Sequence, residues 1–255
     1  DGFLYQKKVE QYLHTAISED RFELYYQPVY SIAEKRFITL EALSRLHHPE
    51  LGWITPDVFI QIAEKNHMIE QITDLQFRRI CRFMKENCAA LSGLWNVKMN
   101  LSSLDLMRSD CSSHFIRIMD EYGIPHDWIQ FEITETVATE YNGSLKKVAG
   151  IRLCLDDFGS GYANLNTVMR LPFSSIKLDR SLLFDICSDE KRALFYQSVV
   201  ETFQRMNYRI VAEGVETEAE MRLLSSWNVD MIQGYYFSKP LPQKELLELL
   251  KQSYT

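Results

Sequence analysis

Two adjacent aspartates, Asp156 and Asp157, end an apolar segment and are followed by two glycines, Gly159 and Gly161. Neighbouring carboxylates repel each other, so their pairing needs a physical reason. Asp and Gly together are typical of turns, where Asp accepts hydrogen bonds from the nearby backbone and Gly adopts a positive φ. The alternative is that a cation binds between the two carboxylates. Which interpretation applies depends on the side chains that the fold brings to the same place.

The other apolar segments of the chain also end in polar side chains. These residues, in addition to the aspartate pair, are Glu41, Asn100, Glu132, Lys177, Glu213 and Gln233. In a barrel of parallel strands the carboxyl ends open at one rim, where active sites of that fold lie. We therefore expect a ring of carboxylates, amides and one lysine in a single bowl.

Such a ring predicts a cation site. Crowded carboxylates cannot all stay ionised unless cations neutralise them. The ring contains neither Cys nor His, and oxygen ligands favour hard ions such as Mg²⁺ or Mn²⁺ over Zn²⁺. One carboxylate can bridge two ions while its neighbour completes the second, which explains Asp156 beside Asp157. The joint placement of these residues favours the cation over the turn.

The elements that must position this ring alternate between strand and helix. An N-terminal helix is predicted over 3–17, and strands are predicted over 21–30, 36–46, 95–102, 128–135, 150–157, 174–179, 208–216 and 229–234. The connection 31–35 is too short for a crossover helix, so the first two strands should be antiparallel. Eight strands with intervening helices in 255 residues predict an α/β fold, a (β/α)₈ barrel. An open doubly wound sheet is the competing arrangement.

Composition narrows the class of protein. Hydrophobic content of 46% with 25% charged residues is ordinary for a soluble globular protein, and no apolar run or signal peptide indicates membrane insertion. The five cysteines form no CxxC pair and are expected to be reduced thiols of a cytoplasmic protein, or of the cytoplasmic part of a membrane-anchored one. The net charge of −7 argues against a nucleic-acid polymer as partner but allows a small anionic ligand held by metal ions.

Seven segments resemble, in order and setting, the motifs of one family, the EAL-domain cyclic di-GMP phosphodiesterases. They are EALSRLHHP, NLS, FEITET, DDFGSGYANL, IKLDRS, VAEGVET and QGYYFSKPL, and they extend over about 21–241. The resemblance implies a modified TIM barrel whose first strand is antiparallel to the rest. It also implies hydrolysis of the bacterial second messenger cyclic di-GMP to linear 5′-pGpG with two Mg²⁺ or Mn²⁺ ions. Ca²⁺, which is larger and less strict in geometry, is expected to inhibit.

The resemblance further implies a role for each member of the ring. The ligands of the first ion would be Glu41, Asn100, Glu132 and Asp156, and those of the second Asp156 and Asp157. Lys177 resembles the lysine that holds the attacking water, Glu213 the general base, and Glu135 the glutamate that steadies the loop after the aspartate pair. The substrate-binding residues would be Arg45, on a phosphate, together with Leu43, Gln233 and Gln27.

Other residues near the ring have ordinary structural explanations. The aromatic residues are expected to pack in the barrel rather than to form a guanine platform; they are Tyr25, Tyr26, Tyr235, Tyr236 and Phe237. His47 and His48 are expected to be structural or rim residues. Gly159 and Gly161 are expected to let the loop after the aspartates turn sharply.

One spacing departs from a regular barrel. Glu132 and Asp156 are 24 residues apart (156 − 132), whereas one strand–helix unit in a barrel of this size averages roughly 31. Either the helix between them is truncated, or a mobile segment near Val148 and Ala149 is absent from the printed chain, and we favour the second. The site residues are the same in both cases.

Two other functions also use acidic residues at the mouth of a barrel. Enolate-forming barrels also place acids and a lysine base around Mg²⁺, but they lack an Asp–Asp pair joined to a ligating Asn. A barrel that binds cyclic di-GMP and signals without hydrolysing it is the stronger alternative, although the presence of every ligand and the base favours hydrolysis. We expect residues 1–255 to form a single domain, with 1–20 as a helix on the barrel. We also expect a homodimer, and a longer regulatory protein that carries a sensor or GGDEF domain.

Overall fold

The structure, a computed structural model, describes residues 2–141, 145–161 and 165–253. Its strands are β1 Phe22–Ser31, β2 Arg36–His48, β3 Gly52–Ile54, β4 Asn96–Asn100, β5 Ile129–Thr134, β6 Arg152–Phe158, β7 Phe173–Leu178, β8 Arg209–Ala212, β9 Met231–Ile232 and β10 Leu241–Pro242. Its α-helices are α1 Gly2–Ser18, α2 Pro56–Lys65, α3 Ile69–Glu86, α4 Cys88–Leu91, α5 Ser103–Met107, α6 Cys111–Tyr122, α7 Glu135–Glu140, α8 Leu165–Val168, α9 Glu190–Arg205, α10 Glu218–Ser226 and α11 Gln243–Ser253. Short 3₁₀ turns cover His126–Trp128, Leu145–Val148 and Arg180–Leu183. Within these described ranges, no helix combines the length and apolar composition that a membrane crossing needs.

Eight of the strands close into a barrel. β1 pairs antiparallel with β2 on one side and with β9 on the other. The strands β2, β4, β5, β6, β7, β8 and β9 pair in parallel in that order. The predicted (β/α)₈ barrel with an antiparallel first strand is therefore confirmed, and all eight predicted strands are present. The short strands β3 and β10, which extend the sheet at β2 and β1, were not predicted.

The main hydrophobic core lies between the barrel and its helices. Phe77 of α3 and Phe115 of α6 pack on Phe131 of β5, with ring centroids 5.4 Å and 4.7 Å from that of Phe131. All three rings are fully buried, and burial of each contributes about 1.5–3 kcal/mol to stability. The buried residues of α3 recur every three or four positions, so one face of this helix covers the barrel.

A second core lies beside the barrel mouth, behind the segment formed by the start of β1, the end of β2 and β3, which we call the hairpin. The parallel pairing of β2 with β4 ends at Ala42, but β2 continues to His48 and pairs with β3. One face of this hairpin packs on α1 and α2 through a buried cluster that includes Val9, Leu13, Phe22, Leu46, Ile54 and Phe59. The hairpin is therefore a packed wall rather than a free loop.

The strand register brings the polar residues of the ring close to one level. Asn100 of β4 lies opposite Glu132 of β5, and Thr134 of β5 lies opposite Asp156 of β6. Glu41 lies opposite Lys98, one pair before the parallel ladder ends. Glu41 is thus at the end of the barrel portion of β2, although the strand itself runs further than sequence analysis assumed.

The connection between β5 and β6 is short. It contains α7 and the 3₁₀ turn Leu145–Val148. Residues 142–144 lie outside the described ranges. Both explanations for the 24-residue spacing stay predictions.

Gly234, directly after Gln233, is a position where the fold has no room for a side chain. A Cβ there would overlap the backbone of Val215, which cannot yield as a flexible side chain could. We expect Gly234→Ala to lower the free energy of unfolding by about 2 kcal/mol, because overpacking typically costs ~1–3 kcal/mol. Gly161→Ala, whose Cβ would meet no atom of the described residues within 4 Å, should change it by less than about 0.5 kcal/mol. Urea unfolding measures both variants, and equal effects would contradict the prediction.

Candidate active site

Lys177 of β7 lies at the centre of the site. Its side chain is 1% exposed. Its Nζ lies 3.1 Å from Glu41 Oε2, 3.2 Å from Glu132 Oε2, 2.9 Å from Asp156 Oδ1 and 2.8 Å from Glu213 Oε1. Four carboxylates from separate strand ends therefore meet around one ammonium group.

This ammonium group cannot satisfy all of its neighbours. It has three protons to donate, whereas four carboxylates approach it. Glu132 Oε1 and Asp156 Oδ1 are buried, and neither has a hydrogen-bond partner with suitable geometry among the described residues. Each of these oxygens has a lysine Nζ within 3.2 Å but accepts no well-aligned hydrogen bond, so both are suited to receive a proton or a cation.

The pKa values of the carboxyl groups diverge. Burial raises the pKa of Glu41, but Lys177, the hydrogen bond from Gln233 and Lys98 outweigh burial and bring it to about 2. Burial and the neighbouring Glu41 raise the pKa of Glu132 to about 8, against the effect of the two lysines. Burial also raises the pKa of Glu213 well above its ordinary value, although Lys177 opposes the shift. With lysines alone as counter-charges, the cluster cannot keep every carboxylate charged.

The second aspartate of the pair has an unusual backbone conformation. Asp157 has a φ of 55°, in the left-handed region that residues with a Cβ seldom adopt. Burial and the adjacent Asp156 raise the pKa of Asp157 to about 6. Gly159, which also has a positive φ, donates its backbone N–H to Glu135 Oε2 over 3.4 Å. Glu135 thus lies against the loop that follows the aspartates.

Two groups of oxygen atoms could hold cations. One oxygen from each of Glu41, Glu132 and Asp156 lies within 4.8 Å of the others, and the same is true of Asp156, Asp157 and Glu213. Asp156 belongs to both groups, as expected of a carboxylate between two ions. The candidate ligand atoms are all oxygens, and two of them accept no well-aligned hydrogen bond from the described residues, so the residues present fit hard divalent cations.

Two amide side chains donate hydrogen bonds to Glu41, and one of them also bonds to a third amide. Gln233 donates Nε2 to Glu41 Oε2 over 2.6 Å and to Gln27 Oε1 over 3.2 Å. Asn100 donates Nδ2 to the other oxygen of Glu41 over 3.2 Å. Both oxygens of Glu41 are therefore held in place, which fixes the orientation of this carboxylate in the bowl.

Leu43 and Arg45 lie further along β2, outside the carboxylate cluster. Leu43 lines a cavity of about 530 Å³ together with Asn100, Asp156 and Asp157. The guanidinium of Arg45 lies 5.3 Å from the ring of Tyr25 and donates Nη1 to Ser44 O over 2.8 Å. The structure brings Arg45 to the mouth of the bowl, but Arg45 forms no ion pair there with a described carboxylate.

Lys98 of β4 is a site residue that sequence analysis missed. Its Nζ lies 3.2 Å from Glu132 Oε1 and 3.8 Å from Cys154 Sγ, and its side chain is 1% exposed. Glu132 therefore has a lysine on each oxygen. The sequence did contain a signal, because Lys98 precedes Asn100 by two residues and so shares its face of the strand.

The aromatic residues near the mouth behave in two ways. Tyr26 is buried, and Phe237 stacks on Tyr30 with centroids 4.2 Å apart, so the packing predicted for these two positions is confirmed. The prediction was wrong for Tyr235 and Tyr236, which are 56% and 38% exposed. Both lie just after β9, where the chain has already left the barrel wall.

The fold and the cluster together define a (β/α)₈ barrel that carries a site of oxygen ligands at its mouth. The EAL domain model matches residues 10–240, and the chain belongs to the EAL domain family. It is 34% identical over 252 residues to cyclic di-GMP phosphodiesterase NbdA of Pseudomonas aeruginosa, which covers 96% of this chain and 32% of NbdA. It is 33% identical over 241 residues to oxygen sensor protein DosP of Escherichia coli, covering 92% of this chain and 30% of DosP.

The fold is also that of a solved relative. The complex of the PaMucR phosphodiesterase with c-di-GMP matches with a TM-score of 0.86 at 30% identity, covering 94% of this chain and 99% of that one. The chain spans about a third of the length of the curated relatives described above. The similarity to them therefore concerns this barrel and not the remainder of those proteins.

Asp105 of α5 lies in the wall of the cavity and is fully buried. Its Oδ2 accepts hydrogen bonds from Thr73 Oγ1 over 2.9 Å and from the backbone N–H of Ser102 over 3.1 Å, while Oδ1 has no partner among the described residues. Burial raises the pKa of Asp105 to about 6, and the two hydrogen bonds oppose the shift only in part. The charged form of this carboxyl is therefore unfavourable in the folded protein.

Asp105 should make the protein less stable as the pH rises from about 4 to about 6. The folded protein binds the proton more tightly than the unfolded chain, whose pKa is near the ordinary 3.8, so stability is lost across this window. Asp105→Asn keeps an oxygen for both donors and removes the titration. Relative to wild type, its free energy of unfolding should rise by about 2–3 kcal/mol between pH 4 and pH 7. Urea unfolding across this range, with Asp127→Asn as an exposed control, measures the difference; a difference that stays constant with pH would refute it.

Proposed function

We propose that this chain hydrolyses cyclic di-GMP to linear 5′-pGpG with two divalent cations, Mg²⁺ or Mn²⁺. The observation that carries the proposal is that Asp156 belongs to two adjoining groups of carboxylate oxygens. The relatives support the choice of substrate, because NbdA is named a cyclic di-GMP phosphodiesterase and the PaMucR phosphodiesterase was solved with c-di-GMP.

The cation ligands would be the acids and the amide at the mouth of the barrel. Glu41, Asn100, Glu132 and Asp156 would hold one ion, and Asp156 with Asp157 would hold the other. When bound, two such cations neutralise the phosphate oxygens and make a water molecule more acidic. They would also supply the positive charge that the two lysines alone cannot provide to this cluster.

Lys177 and Glu213 would act on the attacking water. Their Nζ and Oε1 atoms lie 2.8 Å apart, and the Glu213 side chain is 17% exposed, more than the other three carboxylates around Lys177. Lys177 can donate a hydrogen bond to the water while Glu213 takes its proton. Burial raises the pKa of Glu213 and Lys177 opposes the shift, so nearby positive charge favours the form that can accept a proton.

The remaining predicted residues would bind substrate or support the site. Arg45 would contact a phosphate at the mouth, where Leu43 lines the cavity that leads to Asp156. Gln27 and Gln233 would line the opposite side of Glu41. Glu135 would hold the loop after the aspartates through Gly159.

We also propose that the protein forms a homodimer. Phe184, Leu194 and Phe195 are 63%, 66% and 57% exposed, and Phe184 lies beside α9, since Arg192 contacts its ring at 5.3 Å. Apolar side chains exposed together typically mark an interaction surface.

A cytoplasmic location and an attached sensor or GGDEF domain stay predictions from the sequence.

Removal of divalent cations should abolish hydrolysis. In excess EDTA we expect no pGpG from cyclic di-GMP, because Lys177 and the acids cannot activate water without added positive charge. Mg²⁺ or Mn²⁺ should restore the activity, and Ca²⁺ should not, because it is larger and less strict in geometry. Chromatography of the products measures each condition. Full turnover in excess EDTA would rule out the two-cation proposal.

Glu213→Gln should separate hydrolysis from binding. The substitution keeps size and hydrogen bonding but removes the proton acceptor, and loss of a general base typically lowers the rate by about 10²–10⁴. We expect the variant to bind cyclic di-GMP, measured by calorimetry, and to lose pGpG formation. Glu216→Gln, three residues further on and half exposed, is the matched control and should keep turnover.

Two other results would change the proposal. Equal cleavage by wild type and Glu213→Gln would remove Glu213 from the chemistry and leave activation to Lys177 and the cations. Binding by both forms with cleavage by neither, in the presence of Mg²⁺ or Mn²⁺, would mean that the barrel binds the nucleotide without hydrolysing it.

A further inference from the structure

Lys98 is a second buried cation at the site, and the proposed reaction does not use it. Its side chain is 1% exposed, and its Nζ lies 3.2 Å from Glu132 Oε1. Among the described residues, Glu132 is the one carboxylate within 4 Å of this ammonium group. Its other polar neighbour, Cys154 Sγ at 3.8 Å, is a weak hydrogen-bond acceptor. A buried ammonium group is unfavourable unless a carboxylate compensates it, so Lys98 depends on Glu132.

The strand register places Lys98 on the side of Glu132 that faces away from the mouth. Lys98 lies opposite Gln130, and Glu132 is two residues nearer the mouth on the same face of β5. On its other side, Lys98 borders a cavity of about 20 Å³ at the starts of the strands. Arg152 and Arg209 also line this cavity, and no described carboxylate does. Lys98 therefore has an acid only in the direction of the carboxylate cluster.

Glu132 is shared between the two lysines and the proposed cation. Its Oε1 lies 3.2 Å from Lys98 Nζ and its Oε2 3.2 Å from Lys177 Nζ, so both oxygens already face an ammonium group. Lys177 also contacts three other carboxylates, which share its charge, whereas the charge of Lys98 falls on Glu132 alone. We call the oxygens of Glu41, Glu132 and Asp156 the first cation site. An ion there must share one ligand with Lys98.

We propose that Lys98 sets the affinity of the first cation site by repelling the ion that Glu132 helps to hold. Lys98 thus raises the concentration of divalent cation at which the site fills, and it acts through Glu132 rather than as a ligand. Like charges in a buried site repel strongly because the effective dielectric constant is low. A divalent cation is repelled twice as strongly as a proton at the same oxygen, so competition from protons does not reverse the effect. The inference rests on the proposed function, since it assumes that the acids at the mouth bind cations.

The test removes the charge of Lys98 with two different substitutions. Lys98→Gln keeps a hydrogen-bond donor for Glu132, and Lys98→Met keeps apolar bulk. Mn²⁺ is titrated into each cation-free protein at constant ionic strength, and binding is measured by calorimetry. Both variants should bind the first ion at least about tenfold more tightly than wild type, because the repelling charge is gone. Cys154→Ala removes the other neighbour of Lys98 but keeps the charge, so this matched control should stay within about threefold of wild type.

The sign of the change separates an effect of charge from a merely structural role. A substitution that only loosened the site would weaken Mn²⁺ binding, so unchanged or weaker binding by either folded variant would overturn the inference. Melting temperatures with and without Mn²⁺ give a second measurement, which also applies to a variant that is unstable without the ion. Mn²⁺ should raise the melting temperature of each variant by more than that of wild type. An equal or smaller rise would likewise overturn the inference.

Hydrolysis of cyclic di-GMP is measured separately, so that the inference and the proposed function can fail independently. If wild type forms pGpG with Mn²⁺ but the Lys98 variants do not bind the ion more tightly, the inference is overturned and the proposed function stands. If the variants bind Mn²⁺ more tightly but wild type forms no pGpG, the inference stands and hydrolysis is overturned. If neither wild type nor the variants bind Mn²⁺, both are overturned.

Discussion

The site depends on the attraction between one buried ammonium group and the four carboxylates around it. At about 3 Å, two opposite charges attract each other by roughly 5 kcal/mol at an effective dielectric constant of 20. A buried lysine without such partners would be strongly unfavourable, and so would the four acids without a cation. Lys177 and the carboxylates thus require each other, and the parallel register of the strands is what makes them meet. The second lysine, Lys98, extends the same compensation to the inner side of Glu132.

The barrel and the hairpin carry different residues of the site. The ends of the parallel strands supply charge in a confined space, where the low dielectric strengthens electrostatic interactions. Beyond Ala42, β2 leaves the parallel ladder and pairs with β3, and this extension carries Leu43 and Arg45. Each part has its own hydrophobic core, one around Phe131 and the other around Phe59. The carboxylate cluster and the extension of β2 therefore lie on separately packed supports.

Much of the fold was predictable because its signals are local. Alternating strands and helices narrowed the fold to a closed barrel or an open doubly wound sheet, a five-residue connection predicted the antiparallel first strand, and polar strand ends predicted a ring that includes Lys177. Contacts that join distant segments were harder to predict. Lys98 looked like an ordinary charged residue because only the closed barrel places it beside Glu132 and Cys154. The exposure of Tyr235 and Trp53 depends on where the chain leaves the barrel and on the three-residue strand β3, which is too short to show a period.

The position of α1 gives the hairpin a mechanical property. Tyr12 of α1 donates its hydroxyl to His47 O over 3.0 Å and packs on the ring of His48 at 4.5 Å, while Lys8 reaches Glu50 over 3.3 Å. These contacts fall at the tip of the hairpin, directly behind the strand pair that carries Trp53. Close-packed interiors transmit displacement with little loss. A displacement of α1 would therefore reach the tip of the hairpin first, through its contacts with His47, His48 and Glu50.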